Sequence, residues 1–84
     1  MIYRTNFITL VVELNNSNVN RIKEVLESKG IMQKWLAEQL VKSYNMVNSY
    51  VQNRRQPSID VLYKIAEILD VDVKDLLVSN KLKN

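Results

Sequence analysis

Residues 33–52 read QKWLAEQLVKSYNMVNSYVQ, and the fold turns on how this stretch is divided. Leu36, Ala37 and Leu40 fall at helical core spacing, which predicts a helix from about Met32 to Leu40. Ser43 is a favourable N-cap for a second helix, from about Tyr44 to Gln52. Only Val41 and Lys42 separate the first helix from that cap. Two short helices joined so tightly cross at a steep angle, as in a helix-turn-helix. At roughly 100° per residue the second helix has two faces. Met46, Val47, Tyr50 and Val51 take one side, and Asn45, Asn48, Ser49 and Gln52 cluster on the other.

Outward from this pair the chain stays helical. Val19, Ile22, Val25 and Leu26 form an apolar stripe ending at Gly30, with Asn18 or Asn20 as the cap. After the second helix of the pair, Asn53 suits a left-handed position. Pro57-Ser58 then stops the connector and caps a helix carrying Leu62, Ile65, Ala66 and Leu69 at core spacing. Asp72 caps a short fifth helix around Val73 to Leu77. Residues 1–14 differ in kind: Ile8, Leu10, Val12 and Leu14 alternate with Thr9, Val11 and Glu13, which is strand periodicity. A lone strand must pair with something. Antiparallel pairing with a second copy would make a dimer; a loosely packed leader is the competing reading. The expected fold class is therefore all-α, a compact five-helix domain with an N-terminal β-strand extension. Its parts are 1–17 (extension), 18–78 (helical domain) and 79–84 (basic tail).

Composition narrows the function. The chain has 84 residues, no cysteine, no histidine, one glycine and one proline. One domain is expected, because two would each bury too little. Disulfides, Cys/His zinc sites and Ser-His or Cys-His nucleophiles are excluded, and Gly30 alone makes no phosphate-cradling loop. No enzyme, metal or cofactor is expected. Phe7 to Val12 is too short to span a membrane and Glu13 interrupts it, so a cytoplasmic protein is expected. The net charge is +3. Its distribution says more: the 21 residues between Glu38 and Asp60 contain no acid but hold Lys42, Arg54 and Arg55. That middle stretch is where an anionic partner belongs.

The polar face of the second helix carries amides and a hydroxyl and no charge. Amides present donor and acceptor together and match a base edge, asparagine with adenine above all; a merely solvated face is the alternative. From Val19 to Leu77 the chain resembles the Xre/Cro-type helix-turn-helix regulators with the lambda-repressor-like fold. The resemblance rests on Gly30-Ile31-Met32-Gln33, Leu36-Ala37-Glu38, Ser43, Val47, Asn53-Arg54-Arg55-Gln56-Pro57-Ser58 and Leu62-Tyr63-Lys64-Ile65-Ala66. It implies that Tyr44, Asn45 and Ser49, with Asn48 beside them, touch base edges in the major groove. It also implies that Gln33 binds a phosphate and that Gln52, Arg54 and Arg55 grip the backbone. Lys42, by its charge, and Ser43, at the start of the helix, join that phosphate set.

Four departures from the family pattern stand out. Met32 replaces the usual Ser or Thr cap. Val41 replaces a turn glycine, so a different turn conformation is expected. Lys42 replaces an apolar residue. Leu26 and Val51 replace a buried ion pair known in some members, so the two are expected to touch. Tyr50 and Tyr63 read as packing residues, Trp35 as cover for the N-terminal segment, and Asp70, Asp72 and Asp75 as caps and solvated surface.

The function expected is sequence-specific binding of double-stranded DNA by a homodimer on a two-fold operator, with transcriptional control by occlusion. Candidate dimer surfaces are the N-terminal strand and the apolar end around Leu76, Leu77, Val78 and Leu82. The rival is an antitoxin or interaction module on the same fold, with a toxin or other protein as its partner.

Overall fold

Short helices survive only if their ends are closed and one face is buried, since isolated helices of this size are marginal in water. The structure, a computed structural model that describes residues 18–80, contains four α-helices and one 3-10 turn in that range. They are α1 (Ile22–Lys29), α2 (Gln33–Leu40), α3 (Tyr44–Val51), α4 (Ile59–Leu69) and the 3-10 turn Val73–Leu76. The expected N-terminal strand and the tail beyond residue 80 lie outside the described residues.

Three expected caps are in place. Ser43 Oγ accepts from the Met46 N–H at 3.0 Å, Ser58 Oγ from Val61 at 3.2 Å, and Asp72 Oδ1 from Lys74 at 3.1 Å. The first helix departs from expectation. It starts at Ile22 after Arg21, and Val19 stands outside it, half exposed.

The four α-helices close at their C-termini by one device, a left-handed residue with paired backbone bonds. Gly30, Val41, Asn53 and Asp70 have φ of 65°, 55°, 60° and 58°. In α2 the Val41 N–H donates to the Glu38 carbonyl at 3.2 Å and the Lys42 N–H to Ala37 at 3.1 Å. The same pattern recurs at Gly30-Ile31, Asn53-Arg54 and Asp70-Val71. The expectation that Val41 would force another turn is thus corrected. Val41 is 89% exposed, so its side chain has room at this φ, and two closing bonds hold the turn.

The expected fifth helix is also corrected, to a four-residue 3-10 turn. Beyond it the backbone turns to pair with the entry to α1. The Arg21 N–H donates to the Leu76 carbonyl at 2.8 Å and the Val78 N–H to Val19 at 2.9 Å, an antiparallel bridge. A carbonyl and an N–H committed to that bridge are not available to continue a helix.

Ile22, Leu36, Val47, Ile65 and Leu76 are fully buried at the centre of the core, with Leu26, Tyr50, Val51, Leu62, Ala66 and Leu69 around them. Tyr63 is not among them. It is 59% exposed, because it sits about 100° past Leu62 and off the buried stripe of α4. Trp35 is 42% exposed; the segment it was expected to cover lies outside the described residues.

Asn20 is the one buried polar residue among the described residues, at 1% exposure. Its Nδ2 donates to the Tyr50 carbonyl at 3.0 Å and to Gln56 Oε1 at 2.7 Å, and its Oδ1 accepts from the Ile22 N–H at 3.0 Å. Asn53 answers from the other side. Its Oδ1 accepts from the Val19 and Asn20 N–H groups and from Gln56 Nε2, and its Nδ2 donates to the Asn20 carbonyl. The amide network ties the loop after α3 to the entry of α1.

Two stability predictions follow from this geometry. Val41→Gly relieves a β-branched side chain at positive φ and should stabilise the domain by about 0.5–1 kcal/mol after the entropy cost of glycine. Thermal unfolding measures this, and a lower midpoint would show that Val41 carries no strain. Asn20→Ala strands the Ile22 N–H in the interior, leaves the Tyr50 carbonyl only its Asn53 donor, and should cost roughly 1–3 kcal/mol. In urea unfolding, an unchanged midpoint would deny the network its structural role.

Candidate nucleic-acid interface

The tight turn at Val41-Lys42 presents α3 beside the N-terminus of α2, and the polar face of α3 divides into two flanks. On the flank toward α2, Gln33 Nε2 donates to Asn48 Oδ1 at 3.0 Å. This leaves the Asn48 amide its N–H groups to offer, and Gln33 a second N–H. Tyr44, at the first turn of α3, is 52% exposed.

On the other flank Ser43, Asn45, Met46, Ser49 and Arg55 line one shallow cleft. Ser49 Oγ donates to the Met46 carbonyl at 2.6 Å, so its proton is spent within the helix and its lone pairs remain to accept. Ser43 is the reverse: its Oγ accepts the capping bond, so its O–H remains to donate. The loop after α3 folds back on this flank. The Arg54 and Arg55 N–H groups both donate to the Ser49 carbonyl, at 2.9 and 3.2 Å, and Arg55 Nη1 lies 3.6 Å from Met46 Sδ.

Not every residue singled out in the sequence joins this surface. Gln33 and Gln52 line a second cleft, between α1 and α3, together with Lys23. In the sequence only its charge marks Lys23. Leu26 and Val51 line the same cleft and are both buried. Lys42 stands apart, half-buried in a cleft with Asp60, Val61 and Lys64 rather than beside Asn45 and Ser49. Arg54 is exposed.

Asp60, Glu67 and Asp72 line a cleft between α4 and the 3-10 turn, and Glu27 lines the cleft that holds Gln33 and Gln52. No acid lies in α3 or the loop after it, nor lines the cleft of Asn45, Ser49 and Arg55. Among the described residues no cluster of carboxylates could hold a metal ion, and no helix is long and apolar enough to cross a membrane.

Comparison with known proteins agrees with this architecture. Residues 22–76 match the family model described as Helix-turn-helix. A crystal structure from Bacteroides fragilis, of a protein to which a DNA-binding role has been ascribed, is 47% identical with a TM-score of 0.70. The match covers 71% of this chain and 97% of that one. No curated protein matches the chain. With more than half its length matched by the family model, the chain belongs to the helix-turn-helix family, in its Xre/Cro-like branch.

Proposed function

We propose that this protein binds double-stranded DNA sequence-specifically with α3 in the major groove, and that it regulates transcription as a dimer on a two-fold operator. The observation that carries the reading is the uncharged amide and hydroxyl face of α3, bordered by an arginine-bearing loop in a stretch of sequence without acids. The DNA-binding role ascribed to the Bacteroides fragilis protein, at 47% identity, supports it.

Each polar group on the face has a complementary partner on DNA. Tyr44, Asn45, Asn48 and Ser49 are the base-reading set, with Asn48 held as a donor by Gln33 and Ser49 left as an acceptor. Gln33, Ser43, Gln52 and Arg54 reach phosphates, with Lys42 at the border of the footprint. No side chain caps α2, because Met32 occupies the cap position, and its first backbone N–H groups are open to a phosphate oxygen. Loss of the usual hydroxyl cap thus leaves the anion site with its backbone donors.

A single module makes few base contacts, and pairing two of them doubles the number. Leu76 is fully buried and supplies no dimer surface, contrary to expectation, and Leu82 lies outside the described residues. Beside Leu76, three apolar residues are exposed, Val19, Leu77 and Val78, at 50%, 40% and 43%, drawn together by the antiparallel bridge. This patch is the proposed contact between copies.

Two substitutions separate the roles. Asn45→Ala should cost about 1–3 kcal/mol on a selected site and relax preference at one base pair. Arg54→Ala should weaken every sequence alike and lower the salt slope by about 1. Titrations on selected and scrambled duplexes across salt concentrations check both. Equal losses on the two duplexes for Asn45→Ala would remove it from the base-reading set.

A further inference from the structure

The loop after α3 does not carry its two arginines equivalently. Both backbone N–H groups are tied to the Ser49 carbonyl. From there the Arg55 side chain runs back along α3, and its guanidinium reaches the Met46 thioether, nine residues earlier, at 3.6 Å. There it closes one side of the cleft shared with Asn45 and Ser49. Both arginines are exposed, but Arg54 is anchored only through its backbone N–H. The loop itself is fixed, because Asn53 Oδ1 takes three N–H donors.

A guanidinium lying on the exposed flank of a helix enters the groove wherever that helix does. The thioether is a weak acceptor that engages one of five N–H donors, so the planar fork remains available. Within the same cleft the only spare capacity of Ser49 is to accept. A donor fork beside a hydroxyl acceptor is the complement of a G·C pair seen from the major groove: O6 and N7 accept on guanine, and the N4 amine donates on cytosine.

We infer that Arg55 is a specificity-determining residue that reads a guanine, with Ser49 accepting from its paired cytosine, while Arg54 alone takes the phosphate role in the loop. This reassigns Arg55 from the backbone grip implied by the family resemblance, and it rests on the DNA-binding reading above.

The test uses the full chain, a duplex selected from random DNA, and that duplex with each base pair replaced in turn. Arg55→Ala should bind the selected duplex roughly 5- to 150-fold more weakly, and lose its preference at one G·C position. Its loss on scrambled DNA should be much smaller. Arg55→Lys restores charge without the fork and should not restore that preference. Equal loss on all duplexes for Arg55→Ala, with affinity recovered by Arg55→Lys, would make Arg55 a phosphate contact and overturn the inference. A wild-type protein that selects no sequence would overturn the DNA-reading proposal itself, visibly and before any variant is compared.

Discussion

Two asparagine side chains fix where the chain goes after α3, and the presented surface depends on that. Asn20 and Asn53 exchange hydrogen bonds across 33 residues of sequence. Between them they engage the Tyr50 carbonyl, the backbone at Val19 and Ile22, and Gln56. A buried amide is costly unless its hydrogen bonds are made, so such a network allows one loop position and penalises the others. Among the described residues no buried side-chain nitrogen or oxygen lacks a partner. The loop thus held places Arg54 and Arg55, and the Val19–Val78 bridge beside it brings the entry and exit of the domain together.

The helices meeting at this network are short. Three of the four have eight residues and the fourth has eleven. With one glycine available, three of the left-handed closures fall to Val41, Asn53 and Asp70. Asn and Asp tolerate positive φ best among the other residues; valine does not. The strain at Val41 is local and lies on the exposed turn that sets α2 against α3, where no core packing is disturbed.

Much of this was legible in the chain. Ser43, Ser58 and Asp72 announced their caps, and the stripe Leu62, Ile65, Ala66 and Leu69 announced the buried face of α4, because both signals are local and periodic. Asn53 announced its left-handed turn for the same reason. What escaped depends on partners far away in sequence. Asn20 reads as a helix cap from its neighbours, and only the fold reveals the Tyr50 carbonyl and Gln56 that bury it. The last helix reads as one until its backbone is claimed by the bridge to Val19. Tyr63 has the composition of a core residue and the wrong angle. In the candidate site, residue types and charge marked the surface but not directions: sequence placed Lys42, Arg54 and Arg55 together, and the structure sets Lys42 and Arg55 in separate clefts.

An acid-free, amide-bearing helix face offers hydrogen-bond donors and acceptors without charge. Asn48 held as a donor, Ser49 held as an acceptor and an arginine fork laid alongside form one donor–acceptor pattern, which in the proposed reading is matched by one DNA sequence. Selection of bound duplexes from a random pool tests this most directly. Enrichment of one discrete motif is the result expected. Retention of the pool with no motif, at a salt concentration where binding persists, would contradict the claim that α3 reads DNA.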